Sequence, residues 1–308
     1  MSDCAQIPYH YHTPVMLQEV MNGLNISPNG IYADLTFGGG GHSRELLKHL
    51  SGKGHLYAFD QDTDTLEGTP DDARFTFVHS NFCYVEQWMR YYGVEGLDGI
   101  MADLGVSSHH LDDAGRGFTF RQNAPLDMRM NRQARCSAQE VVNEYTEEQL
   151  ANIFRFYGEL KQSKKLSNAI VRARAAESIK TTGQLAEIVL PYTDRSREKK
   201  DLARVFQALR IEVNGEMKAL RQMLEAVPRL LRPGGRLVVL TYHSLEDRMV
   251  KNIMRSGNVE GRIEQDVYGR IASPLCAVGK MQVPTEREQN ENPRSRSAKL
   301  RIAERVSD

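Results

Sequence analysis

The segment IYADLTFGGGGHSRELL, residues 31–47, decides the fold class of this chain of 308 residues. Residues 31–37 are mostly apolar or β-branched, as in a buried strand, and the run that begins near Ser43 is typical of a helix. Four glycines, residues 38–41, lie between the two. Because glycine has no Cβ, such a loop can turn sharply and bring its backbone amides close to a ligand. The segment therefore predicts a strand, a ligand-binding loop and a helix, in that order.

Four further short apolar runs bounded by polar or glycine-rich turns predict strands: residues 55–60, 75–79, 99–104 and 236–242. Helical stretches separate the early strands, and this alternation is typical of a parallel sheet with helices on its faces. The expected class is α/β, with a Rossmann-like doubly wound parallel sheet.

The spacing of the strands changes after residue 104, because over 130 residues separate the fourth predicted strand from the fifth. Three capping boxes begin helices in this interval, at Ser137, Thr146 and Thr181. We expect a small all-α domain over residues 111–203, inserted into a discontinuous domain formed by residues 1–110 and 204–308. A long helix over residues 203–231 would return the chain to the sheet through a turn at residues 233–235.

The overall composition is that of an ordinary globular protein, with 40% hydrophobic and 26% charged residues. The four cysteines are scattered without a CxxC pair, which argues against a zinc site or a disulfide framework. No run approaches the length of a membrane span, and the amino-terminal residues lack the apolar core of a signal peptide. We therefore expect a cytoplasmic protein without a metal site or a membrane partner.

Charge is balanced over the whole chain, with 40 basic and 40 acidic residues, but it is unevenly distributed. Residues 161–210 hold twelve Lys or Arg against five Asp or Glu, and residues 294–305 hold five against one. Local basic faces of this kind can bind phosphate. Taken alone, however, a charge run is more often a solvated helix face.

Two side chains beyond the glycine loop indicate an adenosine pocket. Asp60 lies at the tip of the second strand, twenty residues after Gly40, where a carboxylate accepts both hydroxyls of an adenosine ribose. Phe82 follows the third strand, where an aromatic ring can cover the adenine. The loop GGGGHSRE differs from the GxGxxG loop that holds a pyrophosphate, and a cofactor without phosphates needs no dense cradle of amides. This favours S-adenosyl-L-methionine over a dinucleotide, and hence methyl transfer.

Candidate catalytic groups follow the fourth and fifth strands. Asp103, Ser107 and Ser108 lie at the end of the fourth, which faces the crevice where such sheets bind ligands. The alternative is that Asp103 caps the next segment and the serines form a turn. His243 lies at the tip of the fifth strand and could face the same crevice, whereas the neighbouring Ser244-x-x-Asp247 is typical of a helix cap.

The chain closely resembles the bacterial ribosomal small-subunit RNA (cytosine-N4) methyltransferases, which act on a decoding-centre cytosine. Eleven motifs in one order carry this resemblance: HTPVM (12–16), DLTFGGGGHS (34–43), FDQD (59–62), DLGVSS (103–108), RGFTF (116–120), PLDMRM (125–130), AQEVVN (138–143), FQALRIEVN (206–214), PGGR (233–236), HSLEDR (243–248) and NPRSRSAKLR (292–301). The resemblance implies a class I methyltransferase domain with an inserted helical domain. The implied partner is 16S ribosomal RNA or the small ribosomal subunit, and monomer and homodimer both stay open.

The resemblance also implies a set of cofactor contacts: Gly40, Gly41, His42, Asp60, Phe82, Asp103 and His110. Position 110 departs from the family, which usually has Pro-Gln where this chain has His109-His110. The residues before FQALRIEVN also depart from the family pattern, because the family tends to have a shorter segment there. We assign that stretch no special role.

Substrate contacts are expected from two segments. The run of residues 116–130 mixes aromatic and cationic side chains, which can stack on an unpaired base and neutralise phosphates. It offers Arg116, Phe118, Phe120, Arg121, Asp127 and Arg129. The alternative is a structured loop with Phe118 and Met130 in the core. The second segment is the helix that carries one polar face formed by Arg204, Gln207, Arg210 and Asn214.

Three other functions compete with methylation of ribosomal RNA. A nicotinamide-dependent oxidoreductase would share the adenosine pocket, but it does not explain the basic segments. An RNA-binding ribosome-assembly factor that retains a cofactor fold would explain them, although the intact motif at the fourth strand argues against it. A protein methyltransferase is a weaker third alternative.

Overall fold

The computed structural model describes residues 14–265, 269 and 273–307, and for residues 108 and 109 it describes the backbone alone. Seven strands form one sheet among these residues. They are β1 (Ile31–Asp34), β2 (His55–Asp60), β3 (Phe75–His79), β4 (Leu97–Asp103), β5 (Leu231–Thr241), β6 (Leu275–Ala277) and β7 (Lys299–Arg305).

The strand order is β3-β2-β1-β4-β5-β7-β6. Strands β1 to β5 are parallel, and β7 is antiparallel to both of its neighbours. The predicted Rossmann-like doubly wound sheet is therefore confirmed. The order reverses between β1 and β4, and sheets of this kind bind ligands at such a point, beyond the carboxyl ends of the strands.

Strand β5 is longer than the sequence predicted. It begins at Leu231 instead of residue 236, and it contains the predicted turn at residues 233–235 as an irregularity. Leu97 of β4 pairs with Leu231, whereas Gly99 pairs with Arg236, so the register shifts between these two pairs. Gly234 takes the left-handed φ of 79° that the extra residues require.

Twelve helices accompany the strands in the described part of the chain. They are α1 (Leu17–Leu24), α2 (Gly41–His49), α3 (Val85–Tyr91), α4 (Ser108–Asp112), α5 (Ala138–Glu144), α6 (Glu147–Phe156), α7 (Ser163–Ala176), α8 (Thr182–Val189), α9 (Glu198–Asn214), α10 (Glu216–Leu230), α11 (Ser244–Ser256) and α12 (Glu286–Glu291).

Local sequence signals set several helix ends. Ser137, Thr146 and Thr181 each accept a hydrogen bond from a first-turn amide, and a Glu or Gln side chain accepts one from the backbone N–H of the cap residue. All three predicted capping boxes are therefore confirmed. The single helix predicted over residues 203–231 is instead two, α9 and α10. Gly215, with a φ of 58°, ends the first of them.

The chain divides into two compact units. The first consists of residues 1–60, 64–105 and 224–308 and contains the whole sheet; the second consists of residues 61–63 and 106–223 and is helical. Each has an apolar cluster of its own, around Tyr32, Leu56 and Leu300 in the first and around Phe154, Val205 and Leu209 in the second. No helix in the described residues is both long and apolar enough to cross a membrane.

Candidate active site

The glycine loop after β1 is tied to the end of β2. The backbone N–H of Gly38 donates to Oδ2 of Asp60 at 2.8 Å, and that of Phe37 donates to the carbonyl oxygen of Phe59 at 2.8 Å. The Phe37 ring packs between those of Phe75 and Phe77, with centroids 5.7 and 5.4 Å away. The loop is thus held from both sides.

Two of the loop glycines have no room for a side chain. Gly40 has a φ of 73°, and a Cβ built on it would lie 2.6 Å from the Phe37 ring. A Cβ on Gly41 would lie 2.3 Å from the ring of Pro14. The Phe37 ring and Pro14 therefore pack directly against the backbone of these two residues, which leaves room for glycine alone.

Asp34, at the end of β1, joins the strand to the helix that follows the loop. Its carboxylate is buried and accepts hydrogen bonds from the Ser43 hydroxyl at 2.6 Å and from the backbone N–H of Thr36 at 3.0 Å. Burial raises the pKa of this carboxyl, and the two hydrogen bonds oppose that rise. The sequence did not single out Asp34 as a functional residue, and its contacts give it the task of holding the loop.

His42, in the first turn of α2, is buried and oriented by the backbone. Its Nε2 lies 3.0 Å from the carbonyl oxygen of Val15 and donates to it. Its Nδ1 lies 3.8 Å from Oδ2 of Asp103. The histidine therefore faces the predicted catalytic carboxylate across the loop.

Asp103 ends β4 and is held by two groups. Its backbone N–H donates to Oγ1 of Thr36 at 2.6 Å, and its Oδ1 accepts a hydrogen bond from the hydroxyl of Tyr242 at 2.6 Å. Burial raises the pKa of the Asp103 carboxyl; His42 and the Tyr242 hydroxyl lower it, and the nearby carboxylates raise it further. The Asp103 carboxyl therefore keeps a proton to higher pH than a surface aspartate does.

The other predicted cofactor-binding residues of the first unit, Asp60 and Phe82, lie at the same end of the sheet as Asp103. Asp60 ends β2, and its carbonyl oxygen accepts from the backbone N–H of Ser80 at 2.9 Å. Phe82 begins a short 3-10 turn after β3, which Asn81 caps by accepting from the backbone N–H of Cys83 at 2.9 Å. Since β3, β2, β1 and β4 are adjacent and parallel, their carboxyl ends bring together the loop, Asp60, Phe82 and Asp103.

His243 is the cap residue of α11, and the cap predicted at Ser244 and Asp247 is wrong by one residue. The Nδ1 of His243 accepts from the backbone N–H of Glu246 at 3.4 Å, and Oε2 of Glu246 accepts in return from the backbone N–H of His243 at 3.3 Å. Asp247 instead accepts from Arg301 at 2.8 Å and lies 3.3 Å from Lys299. An imidazole nitrogen replaces the usual hydroxyl as acceptor, so the catalytic role expected for His243 stays a prediction.

In the second unit, His110 lies in a buried polar cluster. Its Nε2 is 2.5 Å from Oδ2 of Asp62, and NH1 of Arg116 donates to the same oxygen at 2.9 Å. The His110 ring stacks on that of Phe118, with centroids 4.9 Å apart. These contacts give His110 and Phe118 partners within the protein. For Arg116 and Phe118 they favour the alternative of a structured segment. The substrate contacts of these two residues and the cofactor contact of His110 stay predictions.

The two serines that follow β4, Ser107 and Ser108, have different outcomes. Oγ of Ser107 accepts from the backbone N–H of His110 at 3.3 Å. This is the contact of a turn, and it favours the alternative that the serines form a turn over a catalytic role for Ser107. The side chain of Ser108 lies outside the described residues, so its catalytic role stays a prediction.

The other predicted substrate-binding residues make contacts within the second unit. Arg129 donates to Asp127 through Nε and NH2, and Arg210 does the same with Glu216. The amide of Asn214 accepts from the backbone N–H of Met130 and donates to the carbonyl of Met128, and the rings of Phe120 and Phe206 meet edge to face. Arg204 is partly exposed on α9, and Gln207 of the same helix donates to the carbonyl of Tyr157.

A sequence model of the MraW methylase family matches residues 9–306. The chain belongs to this family. Its sheet is mostly parallel and has one antiparallel strand, β7, between β5 and β6. The Asp103 end of β4 is accordingly the candidate active site of a methylase.

Curated relatives cover nearly the whole chain. The ribosomal RNA small subunit methyltransferase H of Phocaeicola vulgatus is 59% identical over 306 residues, or 99% of this chain and 100% of that protein. The proteins of the same name from Porphyromonas gingivalis and Christiangramia forsetii are 54% and 48% identical, each over 96% of this chain and over 97% and 98% of their own length.

A crystal structure of an rRNA methylase from Streptococcus thermophilus aligns over 94% of both chains, with 12% identity and a TM-score of 0.40.

Proposed function

We propose that this methylase uses S-adenosyl-L-methionine to methylate the exocyclic N4 of one cytosine in the decoding centre of 16S ribosomal RNA. The names of relatives 48–59% identical over nearly the whole chain support the ribosomal RNA substrate. The observation that carries the chemistry is the position of the Asp103 carboxylate at the end of β4. Its Oδ1 accepts one hydrogen bond, and its Oδ2 lies 3.8 Å from Nδ1 of His42, in the helix that follows the glycine loop.

The residues beyond the strand ends fit S-adenosyl-L-methionine. Gly40 and Gly41 admit no side chain and keep the loop in a close turn, and Asp60, whose Oδ2 anchors Gly38, is the proposed acceptor for the ribose hydroxyls. Phe82 is partly exposed and begins the turn after β3, where its ring can cover an adenine. When bound, the cofactor supplies an electrophilic methyl group on a sulfonium. Every other requirement of the reaction falls on the chain.

The chemical difficulty lies with the amine. The lone pair of a cytosine amino group is delocalised into the ring, so the nitrogen becomes nucleophilic only as it pyramidalises. An acceptor that holds one of its N–H bonds favours that geometry and the positive charge that develops on nitrogen, and preorganised groups of this kind supply several kcal/mol. Oδ2 of Asp103 is the acceptor we assign. The carboxylate can also accept the proton that the methylated amine releases, which the raised pKa of Asp103 suits.

The second unit is proposed to recognise the RNA, with residues 111–203 as the recognition domain. Supporting this are exposed cations on α7 and at the start of α9, among them Lys164, Lys165, Arg172, Lys199 and Lys200. Such residues neutralise backbone phosphates. Arg129, Arg204 and Phe120 stay candidates for base and phosphate contacts, since each is partly exposed.

A methyl-transfer assay tests the proposal. Purified protein and tritiated S-adenosyl-L-methionine are incubated with small subunits from a strain that lacks the endogenous activity, and the RNA is digested to nucleosides for mass spectrometry. We expect N4-methylcytidine at a single decoding-centre cytosine. Cofactor binding without incorporation would contradict the substrate assignment and favour the assembly-factor alternative, and methylation at another base would contradict the site.

A further inference from the structure

Tyr242 is a residue of the candidate active site that the sequence motifs did not single out. It directly follows β5, and β5 lies beside β4, which Asp103 ends. Leu240 of β5 pairs with Asp103 of β4 in the sheet. Because side chains alternate along a strand, Tyr242, two residues after Leu240, lies on the same side of the sheet as Leu240. This placement brings its phenol to Asp103.

The phenol ring of Tyr242 is fixed by apolar packing. It packs against the first-unit cluster that contains Leu240 and Leu300. Gly105 approaches its other side, and a Cβ on that glycine would lie 3.3 Å from the ring. The backbone N–H of Tyr242 donates to Oε2 of Glu246 at 3.0 Å. The ring therefore has little freedom, and its hydroxyl is directed at the 2.6 Å hydrogen bond with Asp103.

We propose that Tyr242 is a positioning residue for the methyl transfer, which holds Asp103 through Oδ1 and leaves Oδ2 as the acceptor for the substrate amine. Among the described residues, Oδ1 accepts the phenol hydrogen bond, and the recorded neighbour of Oδ2 is the His42 Nδ1 at 3.8 Å. The inference rests on the proposed function, since it deepens the role given there to Asp103.

The same hydrogen bond affects the charge of Asp103. Within the described part of the chain, four titratable groups act on the carboxyl: His42 of α2, Tyr242 itself, Asp34 of β1 and Glu246 of α11. Burial raises the pKa of Asp103, and the two acidic neighbours raise it further, whereas His42 and the phenol lower it. Burial, Asp103, Glu246 and Glu288 all raise the pKa of Tyr242, so the phenol keeps its proton and stays a donor. Loss of the hydroxyl would therefore leave Asp103 harder to ionise.

Tyr242→Phe tests this role, because it removes the hydroxyl and keeps the ring. We expect kcat to fall by about tenfold at the acid end of the pH profile and to recover towards wild type at the alkaline end, since each unit of pKa shift is a tenfold change in ionised fraction. The KM for small subunits should change little. Tyr32→Phe is the matched control, because it removes a phenol that accepts from the backbone N–H of Ser27 at 2.7 Å in the same unit.

A second readout does not depend on turnover. Carboxyl-¹³C aspartate labelling, with Asp103 assigned by its absence in Asp103→Asn, gives the titration of this carboxyl by NMR in the full chain. We expect Tyr242→Phe to move the titration to higher pH and Tyr32→Phe to leave it in place. An unmoved titration together with a wild-type pH profile would overturn the role of Tyr242. Wild-type protein that fails to methylate small subunits would overturn the proposed function instead, and the titration would still decide the hydrogen bond.

Discussion

The backbone N–H of Gly38 donates to Oδ2 of Asp60 across 2.8 Å, which joins the loop after β1 to the end of β2. One oxygen of Asp60 thus fixes the loop, and the second task that we propose for this carboxylate is to accept hydrogen bonds from a ribose. If Asp60 takes that role, the hydrogen bond joins the loop to the ribose acceptor before any cofactor arrives. Such preorganisation reduces the ordering cost of binding.

The first prediction concerns that carboxylate. Asp60→Ala removes the loop anchor and the ribose acceptor together, so we expect the affinity for S-adenosyl-L-methionine to fall by about 1.5–3 kcal/mol, the usual contribution of hydrogen bonds to a charged group. Isothermal titration calorimetry measures this change. Asp71→Ala, at an exposed position of the same unit, should bind as wild type does. An unchanged dissociation constant for Asp60→Ala would contradict the ribose assignment.

The second prediction separates two adjacent glycines. Gly40→Ala introduces a Cβ at a φ of 73° and 2.6 Å from the Phe37 ring, whereas Gly39→Ala meets nothing within 4 Å. The left-handed conformation alone costs a non-glycine residue about 1–2 kcal/mol. We expect Gly40→Ala to lower Tm by several degrees, and Gly39→Ala to leave it near wild type, in differential scanning fluorimetry. Equal melting of the two variants would show that the loop is not constrained as described.

The sequence predicted where most residues of the candidate site lie, because the relevant information is local. Strands β1 to β4, the loop, Asp60 and Asp103 follow from apolar runs and the residues that end them. Strand β7 was missed because its cations alternate with apolar residues in a tail that was interpreted as basic, while Arg301 in fact pairs with Asp247. The contact of His110 with Asp62 joins residues 48 apart in sequence, and no local pattern encodes such a pairing.

The N-terminal cap of α11 shows a different limit of prediction from sequence. Ser244 satisfies the usual preference for a hydroxyl at a helix start, so the sequence favours it over His243. The structure uses the imidazole nitrogen because Glu246, three residues on, accepts hydrogen bonds from the backbone N–H groups of Tyr242 and His243. The neighbouring Tyr242 was predicted only as the last residue of the fifth strand, because nothing in the local sequence indicates its contact with Asp103.

The third prediction concerns catalysis. Asp103→Asn keeps an oxygen for the Tyr242 hydroxyl but removes the charge, so we expect kcat to fall by about 100-fold or more, as when a preorganised transition-state contact is lost. Asp98→Asn is the control at the opposite end of β4, where the carboxylate accepts from the backbone N–H of Ile31 and pairs with Arg232. Single-turnover methyl transfer to small subunits measures both. A near wild-type rate for Asp103→Asn would remove the role assigned to this residue.

The fourth prediction concerns the second unit, where Arg116 is buried and Arg197 is exposed although each pairs with an aspartate. Arg116→Ala leaves Asp62 buried without its guanidinium partner, and it also removes the donors to the carbonyl oxygens of Arg129 and Met130. Breaking a buried pair from one side costs about 3–5 kcal/mol. We therefore expect a large fall in Tm for Arg116→Ala and none for Arg197→Ala, measured by circular dichroism. If instead Arg116→Ala melts as wild type does and loses affinity for ribosomal RNA, the guanidinium serves the substrate, as the sequence first suggested.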